Sequence, residues 1–210
     1  MICTDVNAAA ITVTDREFFA GTLATVNSLF LYHPRLPIYV IDRGLTPPQK
    51  EMLTAGGVSV VAAREVASAG RHIGPWELKA YAASALAVDH EVLIGIDSDC
   101  IVCGPLDDMI SRCHSTQKWL GGKDGGGVQY DDSYKPYGIA PGSENAKYMS
   151  TSLYFCPVSA ENRAILSRWA ECCATAVFNG RGPYAGHGDQ VTQHPEWTTN
   201  AGQANWEPDD

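Results

Sequence analysis

Short apolar runs alternate with longer amphipathic segments in the first half of the chain. The apolar runs are short and rich in branched side chains, which is typical of buried strands. They cover residues 8–13, 37–41, 58–62 and 92–96. The segments between them carry apolar residues at the three-to-four spacing of a helix with one buried face. This β-α-β-α-β-α-β order predicts an α/β domain with a mainly parallel central sheet and helices on both faces.

Three helices are predicted between these strands. The first ends at His33-Pro34, and the second opens at Thr46, an N-cap residue followed directly by proline. The third covers residues 75–88. The apolar stripes comprise Phe19, Leu23, Val26 and Phe30 in the first helix, and Leu78, Ala82, Ala85 and Val88 in the third.

The second half of the chain is less regular. A short helical turn is expected at residues 105–109, strands at 118–121 and 148–156, and a strong helix capped by Ser159.

Two glycine-rich segments, 121–142 and 180–188, lack periodicity and are predicted to be loops that fold over a ligand. A last short helix is expected to open at Asp189, and residues 198–210 are expected to be irregular.

Composition narrows the class of protein. With 210 residues, 45% hydrophobic and 19% charged, the chain is long enough for one globular domain, residues 1–210. Whether that domain is part of a longer protein stays open. The net charge of -9 argues against nucleic acid as the main partner, although a metal could offset local charge around a nucleotide. No apolar run approaches the roughly 20 residues of a membrane span, and the first residues do not resemble a signal peptide.

The seven cysteines are odd in number and several lie in apolar surroundings, which predicts a reduced, cytoplasmic protein. Cys100 and Cys103 have the spacing of half a zinc site. Since no second pair completes it, both are predicted to be core cysteines.

The clearest chemical signal is Asp97-Ser98-Asp99, directly after the apolar run 92–96. If the extended backbone continues, both carboxylates point the same way. Paired carboxylates suit Mg²⁺ or Mn²⁺, and ligands bind at the carboxyl ends of strands in open α/β sheets. The alternative for the motif alone is a solvated turn after a core strand.

Five segments extend this signal into a resemblance. They are Ile11-Thr-Val-Thr-Asp15, Tyr39-Val-Ile-Asp-Arg-Gly-Leu45, Trp76-Glu-Leu-Lys-Ala-Tyr81, Ile96-Asp-Ser-Asp-Cys-Ile-Val102 and Gly188-Asp189-Gln190. In this order and spacing they resemble the GT-A fold glycosyltransferases, most closely those of family 8, over residues 9–200. The resemblance implies a single GT-A (Rossmann-like) domain that binds a UDP-sugar and Mn²⁺ or Mg²⁺.

The resemblance also assigns roles to residues. Asp15 would contact the uracil and ribose, Lys79 would reach the donor, and the Asp-x-Asp carboxylates would hold the metal. The implied donor and metal residues are Thr14, Asp15, Lys79, Asp97, Ser98 and Asp99. Each has an ordinary alternative: Asp15 is also placed to cap a helix, and a lone lysine is often simply solvated.

Asp189 and Gln190 would lie near the anomeric carbon, although an aspartate also favours the start of any helix. The sequence departs from the family pattern at Ser150-Thr151-Ser152 and at Val191. It also lacks the late histidine that supplies a third metal ligand. His187 and His194 are the nearby candidates for that ligand.

The predicted activity is that of a metal-dependent hexosyltransferase (EC 2.4), which passes a sugar from a UDP-sugar to a hydroxyl of a glycan or glycoconjugate acceptor. Two other classes stay open. A nucleotidyltransferase should carry a glycine-rich basic loop after the first strand, where this chain has Thr14-Asp-Arg-Glu-Phe18. A binding or scaffold domain without turnover would have lost its carboxylates.

Overall fold

The computed structural model describes residues 5–66, 75–123, 149–175 and 206–208. Its elements in chain order are β1 (Ala8–Thr14), α1 (Phe19–Tyr32), β2 (Ile38–Asp42), α2 (Pro47–Ala55), β3 (Ser59–Ala62), α3 (Ala63–Val66), α4 (Pro75–Leu86), a 3₁₀ turn (Ala87–Asp89), β4 (Val92–Ile96), α5 (Asp107–Thr116), β5 (Trp119–Lys123), β6 (Met149–Pro157), α6 (Ala160–Thr175) and β7 (Trp206–Pro208).

The described strands form one sheet in the order β3-β2-β1-β4-β6-β5-β7. Strand β1 pairs in parallel with both β2 and β4, and β2 pairs in parallel with β3. Strand β6 runs antiparallel to its neighbours β4 and β5, and β7 is parallel to β5. The predicted α/β architecture with a mainly parallel sheet is confirmed.

Each face of the sheet has its own apolar layer. Ile11 and Leu93 point to the side where α4 and α6 pack, through residues such as Leu78 and Trp169. Their sequence neighbours in β1 and β4 point to the opposite side, against α1, α2 and α5. This alternation confirms the prediction of helices on both faces, and it buries β1 and β4 along their whole length.

Glycine is required in the middle of β4. Gly95 is paired with Tyr154 across the β4–β6 ladder, and a Cβ at Gly95 would lie 2.0 Å from the Tyr154 ring. The Tyr154 ring also stacks on Trp119, with ring centroids 5.8 Å apart. The missing side chain therefore lets an aromatic pair cover the strand that leads to the Asp-x-Asp motif.

Several local predictions were wrong. The turn expected at 105–109 is a ten-residue helix, α5, because Ile110 and Cys113 are buried one turn apart. The irregular tail contains β7, which forms by pairing with β5 and has no local signal. Ala85 is exposed, because the buried positions on either side of it are Ala83 in α4 and Ala87 in the 3₁₀ turn.

The cysteine prediction holds only in part. Cys103 is exposed and Cys100 is half-buried, whereas both were expected in the core. The segment that carries them has left the sheet, so its side chains alternate between the protein and solvent. In the described ranges, no helix combines the length and apolar character needed to cross a membrane.

Candidate active site

The site lies where the strand order of the sheet switches from one side of β1 to the other. From β1 the chain proceeds outward to β2 and β3, and it then returns through α4 to place β4 on the other side of β1. Helices on opposite faces leave a crevice at the carboxyl ends of two such strands. A cavity of about 420 Å³ lies at this position.

The cavity brings together every predicted donor and metal residue. Its lining comprises Val13, Thr14, Asp15, Phe18, Arg43, Lys79, Asp97, Ser98 and Asp99. These residues come from the ends of β1, β2 and β4 and from α4. Asp189, Gln190, His187 and His194 lie outside the described residues, so their predicted roles stay predictions.

The Asp-x-Asp motif is a turn, and the expected extended continuation of β4 is wrong. Strand β4 ends at Ile96, and the Asp97 carbonyl accepts a hydrogen bond from the Cys100 N–H at 3.2 Å. The Asp97 N–H donates to the Ser152 carbonyl of β6 at 2.9 Å, which anchors the turn to the sheet. Asp97 and Asp99 nevertheless line the same cavity.

Lys79 is not a solvated lysine. Its side chain is only 12% exposed, and its ammonium group forms an ion pair and hydrogen bond with the Asp97 carboxylate. Helix α4 therefore places one positive charge against the Asp-x-Asp turn. A cation and two carboxylates on one wall can bind a diphosphate and a divalent metal together.

Asp15 stabilises the turn before α1 and also lines the cavity. Its Oδ1 atom accepts hydrogen bonds from the backbone N–H groups of Glu17 at 2.9 Å and Phe18 at 3.2 Å, just before α1 begins. Its Oδ2 atom lies 3.9 Å from Nη1 of Arg43. The carboxylate thus stabilises the β1–α1 turn while also lining the cavity.

Thr14 is directed toward the protein. Its Oγ1 lies 2.5 Å from Oγ1 of Thr22 on α1, and its carbonyl accepts a hydrogen bond from the Arg43 N–H at 2.9 Å. The hydroxyl and the carbonyl of Thr14 therefore join neighbouring elements at the edge of the cavity.

Arg43 and Phe18 line the cavity without a predicted role. Arg43 belongs to the Asp42-Arg43-Gly44 turn, where Gly44 has a φ of 136°. Arg43 could have been predicted from its position after β2, because β2 lies beside β1 and its carboxyl end reaches the same crevice. Phe18 is 54% exposed, a high value for an aromatic side chain on a cavity wall.

Burial and the carboxylates of Asp97 and Asp99 raise the pKa of the neighbouring Cys100 thiol, with burial the larger cause. A raised pKa lowers the fraction of the thiol that is deprotonated at neutral pH. At this turn the hard oxygen ligands are the carboxylates of Asp97 and Asp99, and their role in holding a metal stays a prediction.

The donor set fits a hard divalent cation. Mg²⁺ is usually held by one or two carboxylates together with substrate phosphates and waters, and Mn²⁺ accepts the same oxygen ligands. Within the described part of the chain, no cluster of three His, Cys, Asp or Glu side chains could hold a metal. Asp97 and Asp99 match a metal site with two carboxylate ligands, in which the diphosphate of a bound donor would supply further oxygen ligands.

The sequence matches no protein-family model and no curated protein. Three similar solved structures illustrate the structural matches. The bifunctional glycosyltransferase WbbM has a TM-score of 0.64 at 12% identity, and the match covers 92% of this chain and 38% of that one. The galactosyltransferase LgtC, with donor and acceptor sugar analogues, has a TM-score of 0.62 at 14% identity over 89% of this chain and 69% of that one.

The third structure is glucosyl-3-phosphoglycerate synthase from Mycobacterium tuberculosis in complex with Mn²⁺, UDP and phosphoglyceric acid. It has a TM-score of 0.52 at 16% identity over 78% of this chain and 58% of that one. These neighbours are GT-A glycosyltransferases, and this chain has their fold. At these identities the likeness concerns the fold alone, and the chain spans little more than a third of the length of WbbM.

Proposed function

We propose that the chain is a metal-dependent glycosyltransferase of the hexosyltransferase type. It takes a sugar from a UDP-sugar and passes it to a hydroxyl of a glycan or glycoconjugate acceptor. The observation that supports this most strongly is the convergence of Asp15, Lys79, Asp97 and Asp99 on one cavity at the switch point of a GT-A fold. The solved relatives include an enzyme crystallised with Mn²⁺ and UDP.

The Asp-x-Asp turn and Lys79 form the diphosphate end of the proposed site. Asp97 and Asp99 would hold Mn²⁺ or Mg²⁺, which when bound stabilises negative charge on the diphosphate oxygens. Lys79 can transfer its contact from Asp97 to the diphosphate when the donor enters. Fixed positive charge beside a leaving phosphate is the kind of preorganised electrostatics that contributes most to catalysis.

Asp15, Phe18 and Arg43 form the nucleoside end. The exposed ring of Phe18 offers a surface on which a base can stack, an interaction that any base accepts. Asp15 and Arg43 place a hydrogen-bond acceptor beside a donor, so they can discriminate between bases. Recognition of uracil is thereby assigned to polar contacts rather than to stacking.

The reaction centre is proposed from the resemblance. Asp189 and Gln190 would act at the anomeric carbon, where the acceptor hydroxyl would attack. The free thiols in the described ranges, Cys100, Cys103, Cys113 and Cys156, favour a reducing, cytoplasmic location.

Isothermal titration calorimetry with UDP tests the proposal. We expect binding in Mn²⁺ and at least tenfold weaker binding in EDTA, with ADP and GDP as competitors for specificity. A nucleotidyltransferase would instead convert UTP and a sugar 1-phosphate with release of pyrophosphate. Absence of UDP binding in Mn²⁺, or pyrophosphate release, would overturn the proposed function.

A further inference from the structure

Helix α1 runs along the segment that follows β4, and four of its residues contact that segment in register. Thr25 Oγ1 donates to the Cys100 carbonyl at 2.7 Å, and Ser28 Oγ accepts from the Val102 N–H at 2.9 Å. The seam is defined here as Gly21, Thr25, Ser28 and Tyr32 of α1 together with residues 98–103.

The amino-terminal part of the seam is a close approach of backbone to backbone. A Cβ at Gly21 would lie 2.8 Å from the Ser98 carbonyl oxygen and 3.4 Å from Cα of Asp99. At the other end, the Tyr32 hydroxyl donates to the Cys103 carbonyl at 3.0 Å. Because i, i+4 and i+7 positions share one helix face, a single face of α1 holds the whole segment.

The two central hydroxyls are fully used by the seam. Ser28 Oγ donates to the Thr25 carbonyl at 2.7 Å while it accepts from Val102. Thr25 Oγ1 lies 2.7 Å from the Cys100 carbonyl and 3.1 Å from the Gly21 carbonyl, and its one proton is best placed for the shorter contact. Both residues are buried, so loss of either hydroxyl leaves a backbone group without its partner.

The seam joins the two ends of the cavity. Asp99 lies in the segment 98–103, and Asp97 comes directly before it. This segment forms neither helix nor strand between β4 and α5. The N-terminal end of α1, where Gly21 meets Ser98 and Asp99, also follows directly on Asp15 and Phe18. Helix α1 thus contacts the diphosphate end of the site and begins directly after the residues of the nucleoside end.

We infer that Thr25 and Ser28 are positioning residues that fix the distance between the nucleoside end and the metal–diphosphate end of the site. This inference rests on the proposed function. A ligand that spans both ends should depend on the seam, whereas a ligand confined to the nucleoside end should not. UDP with Mn²⁺ is the spanning ligand and uridine is the confined one.

The test uses Thr25→Val and Ser28→Ala, each with a matched control on α5. Thr116 and Ser115 make the same helix-internal hydroxyl bonds, to the Arg112 carbonyl, but they are exposed and lie outside the cavity lining. Calorimetry should show about tenfold weaker UDP binding in Mn²⁺ for both seam variants, the usual effect of one hydrogen bond, and less than twofold change for uridine. Thr116→Val and Ser115→Ala should match the wild type, and Thr25→Ser should restore binding.

Hydrogen exchange of the ligand-free protein provides a second readout. Ser28→Ala should speed exchange of the Val102 amide at least tenfold without affecting amides in β1. Unchanged exchange at Val102, or equal losses for uridine and UDP, would overturn the positioning role while leaving the proposed function intact. If the wild type binds neither uridine nor UDP with Mn²⁺, the proposed function is wrong and the positioning role fails with it.

Discussion

Lys79 of α4 and Asp97 after β4 form an ion pair on the wall of the cavity, and the lysine side chain is largely buried there. The same carboxylate is the proposed metal ligand. If the proposal holds, an ammonium group and a divalent cation would compete for Asp97 until a diphosphate binds the lysine.

This competition predicts opposite effects for Lys79→Gln on two ligands. Binding of Mn²⁺ alone should strengthen several-fold, because the carboxylate loses its competing cation. Binding of UDP in saturating Mn²⁺ should weaken about tenfold, since a charge-assisted contact to the diphosphate is lost. Electron paramagnetic resonance titration of free Mn²⁺ and calorimetry with UDP measure the two effects.

Lys50→Gln is the matched control, because Lys50 pairs with Asp42, which does not line the cavity. It removes the same charge and should alter neither affinity. Parallel changes in both variants would show that net charge, rather than the Lys79–Asp97 pair, is responsible.

Asp97→Asn and Asp99→Asn should each abolish metal-dependent UDP binding while the fold remains intact. An amide keeps the shape of the side chain but contributes no negative charge to the cation. Circular dichroism checks the fold and calorimetry in Mn²⁺ checks binding. Asp108→Asn, an exposed change on α5, serves as the control. UDP affinity at the wild-type level in either site variant would refute the assigned metal ligands.

Asp15→Asn separates the two functions of Asp15. Asparagine can still accept the N–H groups of Glu17 and Phe18, so thermal stability should fall little. The preference for UDP over ADP and GDP should decrease, because the charged acceptor is lost. Competition binding measures this preference. An unchanged preference in Asp15→Asn, with lower stability only in Asp15→Ala, would mean that Asp15 only stabilises the turn.

The Asp42 carboxyl is expected to make the stability of the fold depend on pH in the acid range. Burial tends to raise the pKa of its carboxyl. The bonds from Lys50 and from the N–H groups of Gly44 and Leu45 outweigh burial and hold the pKa below its ordinary value of 3.8. The ionised form is therefore stabilised by folding. This contribution is complete above the unfolded pKa and is lost as the pH falls through the folded one.

Asp42→Asn should accordingly lower the free energy of unfolding by about 2 kcal/mol at neutral pH, the scale for hydrogen bonds to a charged group. The difference from the wild type should shrink below about pH 4, where the unfolded carboxyl becomes protonated. Urea unfolding at several pH values measures it. A difference that is constant with pH would show that shape, and not charge, accounts for the effect.

The sequence predicted elements whose signal is local. The first four strands are apolar runs between helices. Because the carboxyl ends of β1 and β4 meet at one edge of the sheet, Asp15, Asp97 and Asp99 could be placed together in advance. The seam could not be predicted in this way. Thr25 and Ser28 are polar residues on a helix whose sequence signal is its apolar stripe, so the pattern gives them no role. Their hydrogen bonds to residues 98–103 are visible only in the tertiary structure.

Other features depend on distant pairing in the same way. Strand β7 exists because β5 offers it an edge, and Arg43 reaches the cavity because β2 lies beside β1. In α4, Leu78 and Ala82 are buried as predicted, but the exposure of Ala85 could not be deduced, since small apolar residues occur on both faces of this helix.

Asp189→Ala tests the predicted reaction centre, which lies outside the described residues. We expect kcat to fall by about 10² or more, the usual contribution of a positioned acid–base group, with little change in donor affinity. Loss of donor binding with unchanged kcat would assign Asp189 to the nucleotide site. Family 8 resemblance favours retention of the anomeric configuration, and NMR of the product distinguishes retention from inversion.

Turnover of a panel of nucleotide sugars tests the central claim most directly. The wild type is incubated with UDP-, GDP- and ADP-sugars in Mn²⁺ and in EDTA, with and without glycan acceptors, and release of the nucleoside diphosphate is measured. The account predicts UDP release from a UDP-sugar in Mn²⁺, faster with an acceptor, and no release in EDTA or from Asp97→Asn. Equal release in EDTA, or no release from any nucleotide sugar in Mn²⁺, would contradict it.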